Sequence, residues 1–130
     1  MADKKYKVLI VEDLPETLRL LAEKFTIEGF DVLEAKNGEE GLKKALENHP
    51  DIMLLDLILP KMDGLTMFKK MREDARGKDI PAIVLTILSD AEKVDEALQA
   101  GVYTYLVKTE WTLDDVVKKV REKLASGKLG

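Results

Sequence analysis

The runs Val8–Val11, Ile52–Leu55 and Ala82–Leu85 read VLIV, IMLL and AIVL, apolar at every position. A strand with one wet face alternates apolar and polar residues. A run without alternation belongs to a strand covered on both faces, as in parallel sheets flanked by helices. Each run is too short for a buried helix. The spacing predicts strands at Tyr6–Val11, Phe30–Ala35, Ile52–Leu55, Ala82–Leu85 and Tyr103–Val107. Helical patterns separate them. Leu18, Leu21, Ala22 and Phe25 recur at helical spacing within Pro15–Glu28, and Gly29 ends that stretch. Asn37 with Glu40 forms a capping-box pattern for a helix to about Glu47. Gly64–Arg72 is a short helix. Ser89 with Glu92 forms a second box, before a stripe of Val94, Ala97 and Leu98 that Gly101 stops. Thr112 caps a last helix carrying Leu113, Val116, Val117, Val120 and Leu124. Strand and helix alternating in this way build a doubly wound α/β sheet with helices on both faces.

The chain has 130 residues, enough for one domain with a real core and too few for two. The expected core runs over about residues 6–124, with a short flexible tail at 125–130. Net charge is 21 − 25 = −4, and Lys118–Lys123 is the one strongly basic stretch, so nothing favours direct nucleic-acid binding. With no cysteine, disulfides and thiolate metal sites are excluded. The opening MADKKYKVLIVEDLP has only a short apolar run broken by acids, unlike a signal peptide or a membrane span. A cytoplasmic protein is expected.

In open α/β sheets, ligands bind outside the carboxyl ends of the strands. Asp13, Asp56, Thr86 and Lys108 each stand at the end of a predicted strand. Residues distant in sequence should therefore meet along one rim. Carboxylates, a hydroxyl and an ammonium gathered there suit a hard cation and a phosphoryl group. A carboxylate can attack a phosphoryl group and form an acyl phosphate, but donor and acceptor are both anionic. Like charges about 4 Å apart repel by roughly 4 kcal/mol at an effective dielectric of 20, a penalty that a divalent cation removes. Mg2+ fits, because it keeps several waters and takes few carboxylates.

The motifs VLIVED at Val8–Asp13, LLDLILPKMDG at Leu54–Gly64, VLT at Val84–Thr86 and YLVK at Tyr105–Lys108 resemble those of response-regulator receiver domains, in the style of single-domain chemotaxis receivers. The resemblance runs from about Tyr6 to Leu124. It implies a flavodoxin-like five-stranded parallel sheet of order 2-1-3-4-5. It implies that Asp56 is the phosphoacceptor, that Glu12 and Asp13 organise Mg2+ with Asp56 and the backbone carbonyl of Ile58, and that Lys108 contacts the phosphoryl group. Thr86 and Tyr105 would be the switch pair. The implied partners are a sensor histidine kinase or phosphotransfer protein and a downstream protein. The downstream partner would be met by the face made of Ser89–Ala100, Tyr103–Val107 and Thr112–Leu124. The expected state is a monomer or a weak phosphorylation-dependent dimer.

Three features depart from the family pattern. Thr109 follows Lys108 where a proline, often preceded by a cis bond, is usual. A cis bond before a non-proline residue costs about 2.5–4 kcal/mol. The bond is therefore expected to be trans with a rearranged loop, or cis and strained. Ile87, after the switch hydroxyl, is bulky where a small residue is common. Ile58 and Leu88 are apolar at positions that tune the lifetime of the acyl phosphate. Asp13 could also cap the helix that follows it. His49 beside Pro50 reads as a loop residue, and Trp111 as packing under the last helix.

Other functions compete with signalling. Phosphatases of the aspartate-nucleophile type carry a second aspartate two residues after the first, where this chain has Ile58, so an enzyme with outside substrates is disfavoured. A receiver-like module that binds partners without phosphorylation is the main alternative. A flavin-binding domain would need a phosphate loop after the first strand, where EDLPETL is acidic.

Overall fold

The computed structural model describes residues 5–129, with side chains through Ser126. The strands are β1 (Lys7–Val11), β2 (Asp31–Ala35), β3 (Ile52–Leu55), β4 (Ala82–Thr86) and β5 (Thr104–Val107). The helices are α1 (Pro15–Ile27), α2 (Gly38–Asn48), α3 (Gly64–Glu73), α4 (Ala91–Ala100) and α5 (Leu113–Leu129). All pairings are parallel and the sheet order is β2-β1-β3-β4-β5, as the motifs imply.

The sheet explains why its central strands show no hydropathic alternation. Successive strand residues point to opposite faces. Leu9, Val11, Met53, Leu55, Ala82 and Val84 meet Ala45 of α2, Phe68 of α3 and Ala97 of α4. Val8, Ile10, Ile52, Leu54, Ile83 and Leu85 meet Leu21 and Phe25 of α1 and Val116 and Val120 of α5. Both faces are dry, so both residue sets are apolar. The edge strand β2 is partly exposed, and its sequence, DVLEA, carries two acids.

Local signals mostly fix the helix ends. Asn37 accepts from the Glu40 amide at 2.8 Å, while the Glu40 carboxylate reaches the Lys36 amide at 3.1 Å rather than closing back on Asn37. Thr112 and Asp115 cap α5 reciprocally, each side chain accepting the other's amide at 3.1 Å. Gly101 ends α4 at φ 109°, a conformation open to glycine.

Several expectations need correction. Tyr6, Phe30 and Tyr103 lie just outside the strands, and Thr86 lies inside β4. The Ser89–Glu92 box does not form: Asp90 holds the capping position without a side-chain bond, so the helix starts one residue too late for that pair. Asp13 does not cap α1 either. Leu14 occupies that position and Pro15 opens the helix, its fixed φ setting the first turn without a capping side chain. Residues 125–129 of the expected tail form the end of α5, where the Ser126 hydroxyl bonds back to the Lys123 carbonyl at 2.9 Å. Gly130 lies outside the described residues.

Candidate functional site

The parallel register brings the strand ends level. Val11 is opposite Leu55, Leu55 opposite Val84, and Thr86 opposite Val107. Glu12 and Asp13, Asp56, and Lys108 leave these ends toward one rim. The Asp56 amide extends the ladder by donating to the Val11 carbonyl at 3.1 Å. Carboxylate oxygens of Glu12, Asp13 and Asp56 lie within 4.8 Å of one another. Glu12 and Asp56 are buried, at 2% and 4% exposure, and Asp13 is half-buried. Lys108 reaches across the sheet and donates to Glu12 at 2.5 Å and to Asp56 at 2.9 Å. The other Asp56 oxygen accepts from the Ile58 amide at 3.0 Å.

The charges are unbalanced. Three carboxylates face one ammonium, and Asp13 has no hydrogen bond or ion pair among the described residues. Burial pushes the Glu12 carboxyl above its usual range; its bonds from Lys108 and the Leu14 amide only partly oppose this, and the Asp56 charge adds to it. Burial pulls the Lys108 ammonium down, but its bonds to Glu12 and Asp56 and their charges outweigh that, and its pKa is raised. The donor set is all oxygen and mostly carboxylate, and it has one carboxylate without a partner. It fits a hard divalent cation such as Mg2+ and excludes a soft, sulfur-seeking metal.

Thr86 is fully buried at the end of β4, and its hydroxyl lies 3.5 Å from the Leu88 amide. Tyr105 of β5 is half-buried and donates through its hydroxyl to the Leu88 carbonyl at 2.8 Å. Burial, followed by the charges of Asp90 and Asp56, pushes the Tyr105 phenol up. Lys108–Thr109 is trans, and residues Lys108–Glu110 close into a short 3-10 turn. The trans bond is the first of the two alternatives expected where no proline follows the lysine. Ile58 and Ile87 are 45% and 59% exposed, so neither closes over Asp56 as a lid, while Leu88 packs partly against the core. His49 is an exposed left-handed cap at the end of α2, and Trp111 packs under α5.

Gly64, expected only as the start of a helix, also bounds the site. A Cβ there would fall 2.9 Å from the Leu57 Cα and overlap the Asp56 carbonyl. The turn pair Asp63–Gly64 was the available signal, since Asp63 caps α3 and the next residue must pass tight against the preceding strand end.

A model of the response regulator receiver domain family matches residues 8–121. The chain belongs to that family. The receiver is 36% identical over 104 residues to the probable transcriptional regulator ycf27 of Porphyridium aerugineum, covering 80% of this chain and 42% of that protein. It is 33% identical over 118 residues to the DNA-binding dual master transcriptional regulator RpaA of Synechocystis, covering 91% and 48%. The receiver thus spans less than half the length of these relatives. Among solved structures, a CheY-like response regulator receiver domain protein from Methanospirillum hungatei superposes with a TM-score of 0.90 at 27% identity, covering 98% of this chain and 100% of that one. A chain of the CheX-CheY-BeF3-Mg+2 complex from Borrelia burgdorferi gives 0.82 at 32% identity, covering 90% and 87%. Among the described residues, no helix is long and apolar enough to cross a membrane.

Proposed function

We propose that this receiver accepts a phosphoryl group on Asp56 from a histidine kinase or phosphotransfer protein and uses the change to control a protein partner. The carrying observation is the double contact of Lys108, 2.5 Å from Glu12 and 2.9 Å from Asp56, beside the unpaired Asp13. An Asp56 oxygen attacks phosphorus, and the bond from phosphorus to the donor's imidazole nitrogen breaks. The electron pair leaves with that nitrogen, and a proton carried on the other ring nitrogen lets the imidazole depart neutral. Glu12, Asp13, Asp56 and the Ile58 carbonyl would hold Mg2+. When bound, the ion neutralises the carboxylates and the phosphoryl oxygens. The Ile58 amide orients the Asp56 carboxylate through its bond at 3.0 Å. Lys108 exchanges part of its bonding from Glu12 and Asp56 to a phosphoryl oxygen.

The new phosphoryl oxygens attract the buried Thr86 hydroxyl, and its movement is felt at Leu88, which Tyr105 also holds. This links Asp56 to the α4–β5–α5 surface, which we assign to the partner. The receiver has no general acid two residues after Asp56, so its chemistry is limited to self-catalysed acceptance and slow loss of the phosphoryl group. It would act in the cytoplasm, on a separate protein or on further segments of a longer regulator.

The test is incubation with a small-molecule phosphodonor and Mg2+, followed by intact-mass measurement. One added phosphoryl group, lost with Asp56→Asn or with chelation, is the expected result. An unmodified native protein would leave the receiver as a binding module that works without phosphorylation.

A further inference from the structure

The loop from Leu57 to Asp63 carries Ile58, whose amide orients Asp56. Its own tethers are few: Gly64 N–H to the Leu57 carbonyl at 3.0 Å and Met62 N–H to the Pro60 carbonyl at 2.8 Å. Lys61 sits between them at φ 69°, in the left-handed region where a side chain is disfavoured. Something outside the loop must hold this shape. The first residue of α2 is packed against it. Gly38 donates to the Pro60 carbonyl at 3.5 Å, a long bond. A Cβ on Gly38 would fall 2.7 Å from the Met62 carbonyl carbon and 2.9 Å from its Cβ, and closer still to the carbonyl oxygen. The obstruction is mainly backbone, which no rotamer change relieves. Asn37 fixes the start of α2 through its bond to the Glu40 amide, so Gly38 cannot easily retreat.

From this juxtaposition we infer that Gly38 is a positioning residue for the phosphoacceptor site: the bare start of α2 sets how close the Pro60–Met62 backbone lies, and through it the placement of Ile58 beside Asp56. This rests on the reading of Asp56 and its acidic neighbours as a cation-assisted phosphoacceptor. Gly38 touches neither cation nor phosphoryl group. It is remote from Asp56 in sequence and acts only through the loop. The inference assigns α2, which is not part of the α4–β5–α5 surface, a share in setting cation affinity.

The experiment is Mg2+ titration by calorimetry on the native protein, Gly38→Ala and the exposed neighbour Glu39→Ala, beside cation-free thermal unfolding of each. Loss of an outer contact to a metal site commonly costs about 10–100-fold in affinity, and Gly38→Ala should weaken Mg2+ binding by about 10-fold or more. Glu39→Ala should match the native protein, and Gly38→Ala should still unfold cooperatively. A folded Gly38→Ala with native affinity overturns the inference. If Gly38→Ala does not fold, Gly38→Ala/Lys61→Gly, whose loop can yield, is titrated in its place with the same expectation. If that too is unfolded, amide resonances of the native protein decide: with Mg2+, Gly38 should shift together with Ile58 and Met62 while Gly41 stays. A Gly38 resonance that does not move overturns the inference. A native protein that binds Mg2+ yet takes no phosphoryl group defeats the proposed function and leaves the Gly38 inference to be judged on affinity. One that binds no Mg2+ overturns both.

Discussion

The Tyr105 hydroxyl donates to the Leu88 carbonyl at 2.8 Å, tying the centre of β5 to the loop that follows Thr86. Leu88 is thus held from two sides, since its amide lies 3.5 Å from the Thr86 hydroxyl. A net intramolecular hydrogen bond contributes about 0.5–1.5 kcal/mol. Tyr105→Phe keeps the ring and removes the bond. It should lower urea stability by about 1 kcal/mol and speed amide exchange at Leu88 and Ser89, leaving β1 and β3 unchanged. Unchanged exchange in that loop would show that the bond does not hold it.

Among the described residues, Lys108 is the single cation in the acidic rim. Its pKa lies above the ordinary 10.5 because Glu12 and Asp56 outweigh burial. A group raised in the folded state gives stability that is complete below its unfolded pKa and lost as pH rises through the folded value. Urea midpoints measured from pH ~9 to ~12 should therefore fall more steeply for the native protein than for Lys108→Met. At neutral pH and without cations, Lys108→Met leaves two buried carboxylates uncompensated and should cost about 3–5 kcal/mol. A neutral-pH loss below ~1 kcal/mol would mean that the rim is better hydrated than its burial suggests.

Asp13 behaves in the opposite way. It shares the rim with Glu12 and Asp56 but receives no bond from Lys108. Its charge is a cost until a cation arrives. Asp13→Asn should raise cation-free stability by about 1–2 kcal/mol, the Coulomb repulsion reduced by solvent at a half-buried position. It should also remove the increase in melting temperature that Mg2+ gives the native protein. A variant that melts lower than the native protein without cation would contradict the repulsion argument.

The sequence exposed the rim because strand ends are local signals: an apolar run stops and a polar residue follows. In a parallel sheet, level strand ends are neighbours, so the convergence of Asp56 and Lys108 is legible in the sequence. Elements that depend on distant backbone stayed hidden. Asp13 looked like a cap, but Pro15 sets the first turn of α1 on its own. Ser89 and Glu92 had the spacing of a box, but the loop bonded through Leu88 delivers the chain to α4 one residue later. The left-handed Lys61 carried no glycine or asparagine to announce it. Gly38 read as an ordinary helix start, because the Met62 backbone it faces belongs to another element.

Ile58 and Ile87 flank the rim as large, solvent-exposed aliphatics, one two residues beyond Asp56 and the other just beyond Thr86. Hydrolysis of an acyl phosphate needs a water placed in line with the leaving carboxylate. Exposed branched side chains do not seal the pocket, but they offer no polar atom to hold that water. The phosphoryl group on Asp56 should accordingly be long-lived. Ile58→Asn supplies an amide that can hold water, and Ile87→Ala clears space. Each change should speed dephosphorylation severalfold, and the pair should act roughly additively if the two side chains guard separate approaches. Release of inorganic phosphate from the isolated phosphorylated protein, followed with Mg2+ present, gives the rate directly. A native half-life of seconds that neither substitution changes would mean that hydrolysis is set within the rim itself, by Lys108 and the carboxylates, and that the aliphatic border has no part in it.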